Sequence, residues 1–299
     1  MQNRQRELIG FILFGTTPTS GIGKLRLTKY AFLLAQEATD VPASLRYDFV
    51  PYHYGPFSFS LYNDLNAIGR DGFITSSGDD EGLTIADHMA SAARTEFDQL
   101  PWSLRAAIHD TCARYRSISD DELLRVVYSR HPWYAMCTKR RDLVSGPPVT
   151  VQEASIAAYT VGYEGKSIEG FLRGLLNFGI KRIIDVRYNP VSRKYGFSGA
   201  WLREKAKGLG LEYEHVPQLG IPGEDRRELG TVEAYDRLLD RYEREMLPAQ
   251  TQAIARVASL LGERASALMC MEADPNRCHR SRLAQTISVR TGMPVTHLG

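Results

Sequence analysis

Twelve residues, Met269-Cys-Met-Glu-Ala-Asp-Pro-Asn-Arg-Cys-His-Arg280, gather two of the four cysteines with Glu272, His279 and two arginines. They sit where an apolar strand gives way to a helix beginning near Arg280, and such junctions expose reactive side chains that a sheet holds in place. Backbone N–H groups at the helix start, with His279 and Arg280 adjacent, favour a thiolate at Cys278, a candidate nucleophile or thiolate ligand. Glu272 is the candidate general acid or base, and His279 a further candidate catalytic group. Cys270 and Glu272 are two apart at a strand end and so face the same side. Asp185 and Arg187 repeat that relation at the end of another strand. In a parallel sheet both pairs fall on the C-terminal edge, where α/β proteins build ligand sites. There Asp185 would orient a ribose or a base, while Arg187 and Arg280 would hold phosphate. The competing explanation is an ion-pair network closing the top of a fold, with Cys270 buried.

Several chemistries fail on spacing. A phosphatase loop needs Cys, five residues, then Arg, but Asn276 follows Cys270 at that distance and Ala284 follows Cys278. A Walker loop fails because Thr160 stands where a glycine must precede Gly165-Lys-Ser167. Ile183-Ile-Asp-Val-Arg187 resembles a rhodanese strand, and although the glycine-rich persulfide loop is missing, a sulfurtransferase stays as a third choice. Cys270, Cys278 and His279 could offer three metal ligands. Adjacent Cys and His strain a single ion, however, and no second cysteine pair closes a structural site, so no metal is expected. No three-glycine fingerprint marks a dinucleotide, and the cofactor stays unknown. Looser phosphate contacts fit the helix start at Gly162-Tyr-Glu-Gly165, beside Tyr163, and the loop carrying Arg193 and Lys194 with two aromatics.

These groups require alternating strands and helices. Strands are predicted at Ala157–Gly162, Arg182–Arg187, Glu212–Val216, Arg264–Met271 and Val295–Leu298. Helices are predicted after an N-cap at Ser167, over Gly199–Lys207, Val232–Met246 and Ala249–Leu261, and over Arg280–Arg290 with Gly292 as terminator. That order predicts a Rossmann-like, doubly wound parallel sheet over residues 155–299. Residues 1–150 read as mainly α and winged-helix-like: helices at Lys24–Glu37 and Ser60–Arg70, then Gly72, a short strand from Phe73, a turn through Gly78–Gly82, and a strand at Leu83. Helices at Glu96–Arg116 and Asp120–Arg130 follow. Gly146-Pro-Pro marks the boundary. Tyr47, Phe49, Tyr52, Tyr54, Phe57 and Phe59 are expected in the core, and His53 is expected to be structural.

The 299 residues carry a net charge of +2. From Val151 onward Lys+Arg exceed Asp+Glu by 21 to 18, and before it they fall short by 16 to 17. Neither half demands nucleic acid on charge alone. Four scattered cysteines suit a reducing cytoplasm, and no apolar run approaches the roughly 20 residues that cross a bilayer. The apolar Leu8–Phe14 lacks a convincing cleavage site after it, so a secretory signal is not expected.

Residues 157–298 resemble the family known as domain of unknown function 488. The resemblance rests on Tyr159-Thr-Val-Gly-Tyr-Glu-Gly165, Ile184-Asp-Val-Arg-Tyr-Asn-Pro190, Ser192-Arg-Lys-Tyr-Gly-Phe197, Leu219-Gly220 and the twelve residues above. It implies an α/β domain with a polar site at Asp185, Arg187, Glu272, Cys278, His279 and Arg280, and no established reaction. The first half resembles the Panacea (SocA-like) antitoxin group through Lys24–Leu34, Tyr54-Gly-Pro-Phe57 and Leu61–Leu65, which implies binding of protein or nucleic acid. The combined expectation is an enzyme directed at a nucleotide or nucleic acid, transferring or hydrolysing at a base or phosphate in a phage-defence or toxin–antitoxin-like setting. A non-catalytic DNA-binding regulator or nucleotide sensor is the alternative.

Overall fold

The structure, a computed structural model, describes residues 1–16, 20–77, 81–226 and 231–299. The chain divides into two compact units, Met1–Thr150 and Val151–Gly299.

The first unit packs helices Asn3–Gly15, Lys24–Glu37, Phe59–Arg70, Ala90–Asp98, Trp102–Tyr115 and Asp120–Arg130 around one apolar core. Leu8, Phe11 and Ile12 of the first helix are fully buried in it, so the Leu8–Phe14 run is core. The single helix expected over Glu96–Arg116 is two. Pro101 has no N–H for the preceding turn and serves instead as the N-cap of the second. Hairpins pair Val50–Tyr52 with Gly55–Phe57 and Ile74–Ser77 with Glu81–Ile85, both antiparallel. The turn expected through Gly78–Gly82 lies largely outside the described residues. Of the aromatic run, Tyr47, Phe49 and Phe59 are buried, whereas Tyr54 is exposed.

The second unit is a five-stranded, all-parallel sheet ordered Glu212–His215, Arg182–Asp185, Ser266–Cys270, Ala158–Gly162, Val295–Leu298. Every residue of the three central strands is buried. Since successive side chains point to opposite faces, both faces are covered, as parallel sheets require. Ile184, Val186 and Leu268 join Leu239, Val257, Leu261 and Leu283 in one cluster. The strand order differs from the dinucleotide-binding order, because the strand Ser266–Cys270 separates the first two strands of the unit. Helix Ile168–Asn177 begins where expected, with Ser167 Oγ accepting Gly170 N–H at 2.9 Å. Helix His279–Thr291 ends at Gly292, whose φ of 75° is the left-handed cap that only glycine takes freely.

Candidate functional site

The register Asp185↔Met269 and Gly162↔Cys270 aligns the C-terminal ends of the three central strands. Chain leaving those ends forms the rim, and two hydrogen-bonded groups occupy it.

The first is centred on Asp185, which is completely buried. Its Oδ1 accepts from the Arg187 backbone at 3.1 Å and from Arg187 Nε at 2.9 Å. Its Oδ2 accepts from Arg187 Nη2 and from Tyr213 OH, each at 2.6 Å. Arg187 Nη1 donates to Tyr163 OH at 3.1 Å, and the Tyr163 ring stacks on Phe197 at 4.2 Å. Four donors thus saturate the Asp185 carboxylate inside protein. Lys194 Nζ donates to the Tyr163 carbonyl at 3.1 Å, while Arg193 is exposed in the same loop.

The second group is built by the loop between strand Ser266–Cys270 and helix His279–Thr291. Tyr163 N–H and Glu164 N–H donate to the Met271 carbonyl, and a Glu164 carboxylate oxygen accepts Ala273 N–H at 2.9 Å. The loop backbone crosses directly over Gly162, where a Cβ would lie 1.9 Å from the Glu272 carbonyl. Arg280 is buried beneath it, donating to the Glu272 carbonyl and, at 3.1 Å, to that of Ala273. Arg280 therefore clamps the loop rather than facing a cavity.

So held, Glu272 Oε2 accepts from Cys270 Sγ at 3.1 Å and from Cys278 Sγ at 3.0 Å. Its Oε1 accepts from Arg226 Nη1 and Tyr235 OH, both at 3.3 Å. Burial by itself would raise the Glu272 carboxyl. The hydrogen bonds from Cys278, Cys270 and the backbone, with the Arg226 charge, outweigh it and hold the group down at about 2. At neutral pH Glu272 is ionised and has no proton to give, which removes the general-acid half of its expected role. Cys278 moves the other way. Burial, then the neighbouring Cys270, pushes its thiol well up, and His279 offsets this only in part. The helix start alone suggested a thiolate; a fully buried side chain reverses that.

His279 is also fully buried. Its Nδ1 stands 3.7 Å from Cys270 Sγ, 4.0 Å from Cys278 Sγ and 3.4 Å from Arg226 Nη2, while Nε2 lies 3.1 Å from the Val186 carbonyl. A carbonyl can only accept and a guanidinium can only donate. The ring therefore carries its proton on Nε2 and turns the Nδ1 lone pair toward the sulfurs. Ligand atoms of Cys270, Cys278 and His279 all lie within 4.8 Å of one another, so the adjacency of Cys278 and His279 does not keep them apart.

Two cavities reach this loop. One of about 380 Å³ has Glu272, Tyr235, Glu164, Asp274 and Arg277 on its wall. The other, of about 200 Å³, is lined by Cys270, Met271, Arg226, Arg187, Tyr163 and Tyr188, among others. Arg226 and Tyr235 are functional candidates that the sequence reading missed. The only signal was a charged run, Glu224-Asp225-Arg226, after Pro222-Gly223, and no spacing rule ties it to Glu272.

Residues 167–287 match the family model described as domain of unknown function DUF488. The DUF488 match contains both rim groups except Tyr163 and Glu164, and the strand Ala158–Gly162 precedes it. No curated protein and no solved structure matches the chain. Among the described residues, no helix is long and apolar enough to cross a membrane.

Proposed function

We propose that the second unit is a hydrolase or transferase that acts on a nucleotide or nucleic acid, at a base or a phosphate, in the cavities along the sheet rim. One observation carries this reading. An ionised carboxylate, Glu272, is set in a cavity wall among Arg226, Tyr235 and two thiols, at the edge of a parallel sheet where ligands bind. Glu272 is the base, and Arg226 and Arg277 hold the anionic part of the substrate. Asp185 and Arg187 set the floor of the rim. The first unit presents a protein or nucleic-acid partner, with the hairpin Ile74–Ser77/Glu81–Ile85 as the wing behind helix Phe59–Arg70.

The test is turnover of a panel of nucleotides, DNA and RNA by the full chain. Glu272→Gln is expected to lose at least about 100-fold in rate, the usual worth of a positioned base. Undiminished turnover in that variant refutes the assignment. DNA retention that does not weaken with added salt refutes the partner role of the first unit for nucleic acid. A nucleotide sensor is favoured by one fact, the raised Cys278 thiol, which is ill suited to covalent catalysis. Stabilisation by a nucleotide that is never consumed would establish the sensor in place of the enzyme.

A further inference from the structure

We infer that Cys270, Cys278 and His279 bind a single zinc ion, with its fourth position turned toward Glu272. Zinc takes thiolate sulfur at about 2.3 Å and imidazole nitrogen at about 2.0–2.1 Å, so tetrahedral co-ligands S and N stand about 3.6 Å apart. The two S···Nδ1 separations, 3.7 and 4.0 Å, come within a few tenths of that before any ion draws them in. The imidazole is already oriented to bind, with Nε2–H held by the Val186 carbonyl and the Nδ1 lone pair directed into the cluster, where the long 3.4 Å contact from Arg226 Nη2 gives way to the ion. Such a backbone acceptor behind the ring fixes tautomer and angle in metal sites. All three residues are buried, on a strand end and a helix start that the sheet and Arg280 keep in place.

Charge balance leaves Glu272 outside the ligand set. Two thiolates and a neutral imidazole offset a divalent ion by themselves, and Glu272 is paired with Arg226. Its Oε2, about 3 Å from both sulfurs, is placed to accept a hydrogen bond from water in the fourth position. Three N/S ligands, an open position and a non-ligating Glu beside it form the arrangement of a catalytic zinc rather than a closed structural one. Use of that water for hydrolysis rests on the function proposed above; the binding of zinc does not.

The experiment is metal analysis of the purified full chain, then chelator treatment and titration with Zn²⁺ and Co²⁺. Expected are about one zinc per chain and a thiolate-to-cobalt charge-transfer band with tetrahedral visible absorption. Cys270→Ser and Cys278→Ser should each weaken zinc binding at least tenfold, while Cys112→Ser/Cys137→Ser and Glu272→Gln keep full stoichiometry. Wild-type protein with no charge-transfer band overturns the site, and that readout needs no variant to fold. Equal zinc loss in Cys112→Ser/Cys137→Ser overturns it too. Loss of zinc from folded Glu272→Gln overturns the open fourth position. Zinc bound without any turnover would count against the enzyme alone, and turnover without zinc against the site alone.

Discussion

Glu7 is a glutamate sealed in the first unit's core, fully buried, and among the described residues neither carboxylate oxygen has a hydrogen-bond partner. Burial raises it from 4.5 to about 8, against a smaller lowering by Arg4. The folded chain therefore keeps a proton that the unfolded chain releases between these values. Its contribution to stability is complete below pH 4.5 and is lost as pH rises through about 8. One pKa unit is worth about 1.4 kcal/mol, so passing from pH 5 to pH 8.5 removes about 4 kcal/mol. Lys29 opposes it. Also buried, and donating to the Pro56 carbonyl at 2.8 Å, it is lowered by burial from 10.5 to about 7. Its contribution is present above pH 10.5 and lost as pH falls through 7. Over the same interval it returns about 2 kcal/mol, so wild type alone would show a shallow profile. The informative quantity is the difference between wild type and Glu7→Gln, with Lys29 common to both. It is read by urea unfolding from Trp102 and Trp133 fluorescence in a Trp201→Phe background. That difference should shift by about 4 kcal/mol against wild type between pH 5 and 8.5. A shift under about 1 kcal/mol would mean that the Glu7 carboxyl is solvated, and the argument from burial fails.

Asp185→Asn should destabilise the second unit by about 3 kcal/mol or more, because Arg187 is left buried beside a neutral amide; chemical denaturation checks it, and a loss under about 1 kcal/mol refutes the paired geometry. Gly162→Ala should weaken zinc binding as well as stability, since the new methyl must push the Glu272 backbone aside. Gly174→Ala, in helix Ile168–Asn177 with open space around it, should gain about 0.5–1 kcal/mol. Ser167→Ala should cost about 1 kcal/mol through the lost bond to Gly170 N–H, read as a lowered melting temperature.

The alternation of strands and helices in the second unit was legible because each signal is local. Ser167 and Gly292 mark helix ends by their own chemistry, and the Gly199–Lys207 helix falls on the expected residues. Strand order was not legible: inserting Ser266–Cys270 between the first two strands depends on which helices pack together, and no spacing along the chain records it. In the first unit a helical stripe ran unbroken through Gln99-Leu-Pro101, where proline chemistry divides it. The helix Asn3–Gly15 has neither acidic residues in its first turn nor basic ones in its last, so its apolar run carries no charge signal of a helix end in the sequence.

At the rim, residue types alone could not separate scaffolding from site. Asp185 ends its strand and Glu272 stands two residues past the end of its own, yet each accepts four hydrogen bonds. Asp185 takes its bonds at 2.6–3.1 Å from arginine and tyrosine with no exposure, so nothing remains for a ligand to claim. Two of the donors to Glu272 are thiols, weak partners that deprotonate on meeting a soft cation, and the other two are long at 3.3 Å. Its side chain also faces a cavity. A carboxylate with strong, enclosed partners builds the rim, and one with exchangeable partners beside open space can take part in chemistry. Arg280 follows the first pattern through its bonds to the loop carbonyls, and Arg226 follows the second. The sequence placed Asp185, Glu272 and Arg280 at that edge and missed Arg226, and the division of labour among the four is decided by partners up to 53 residues away in the chain.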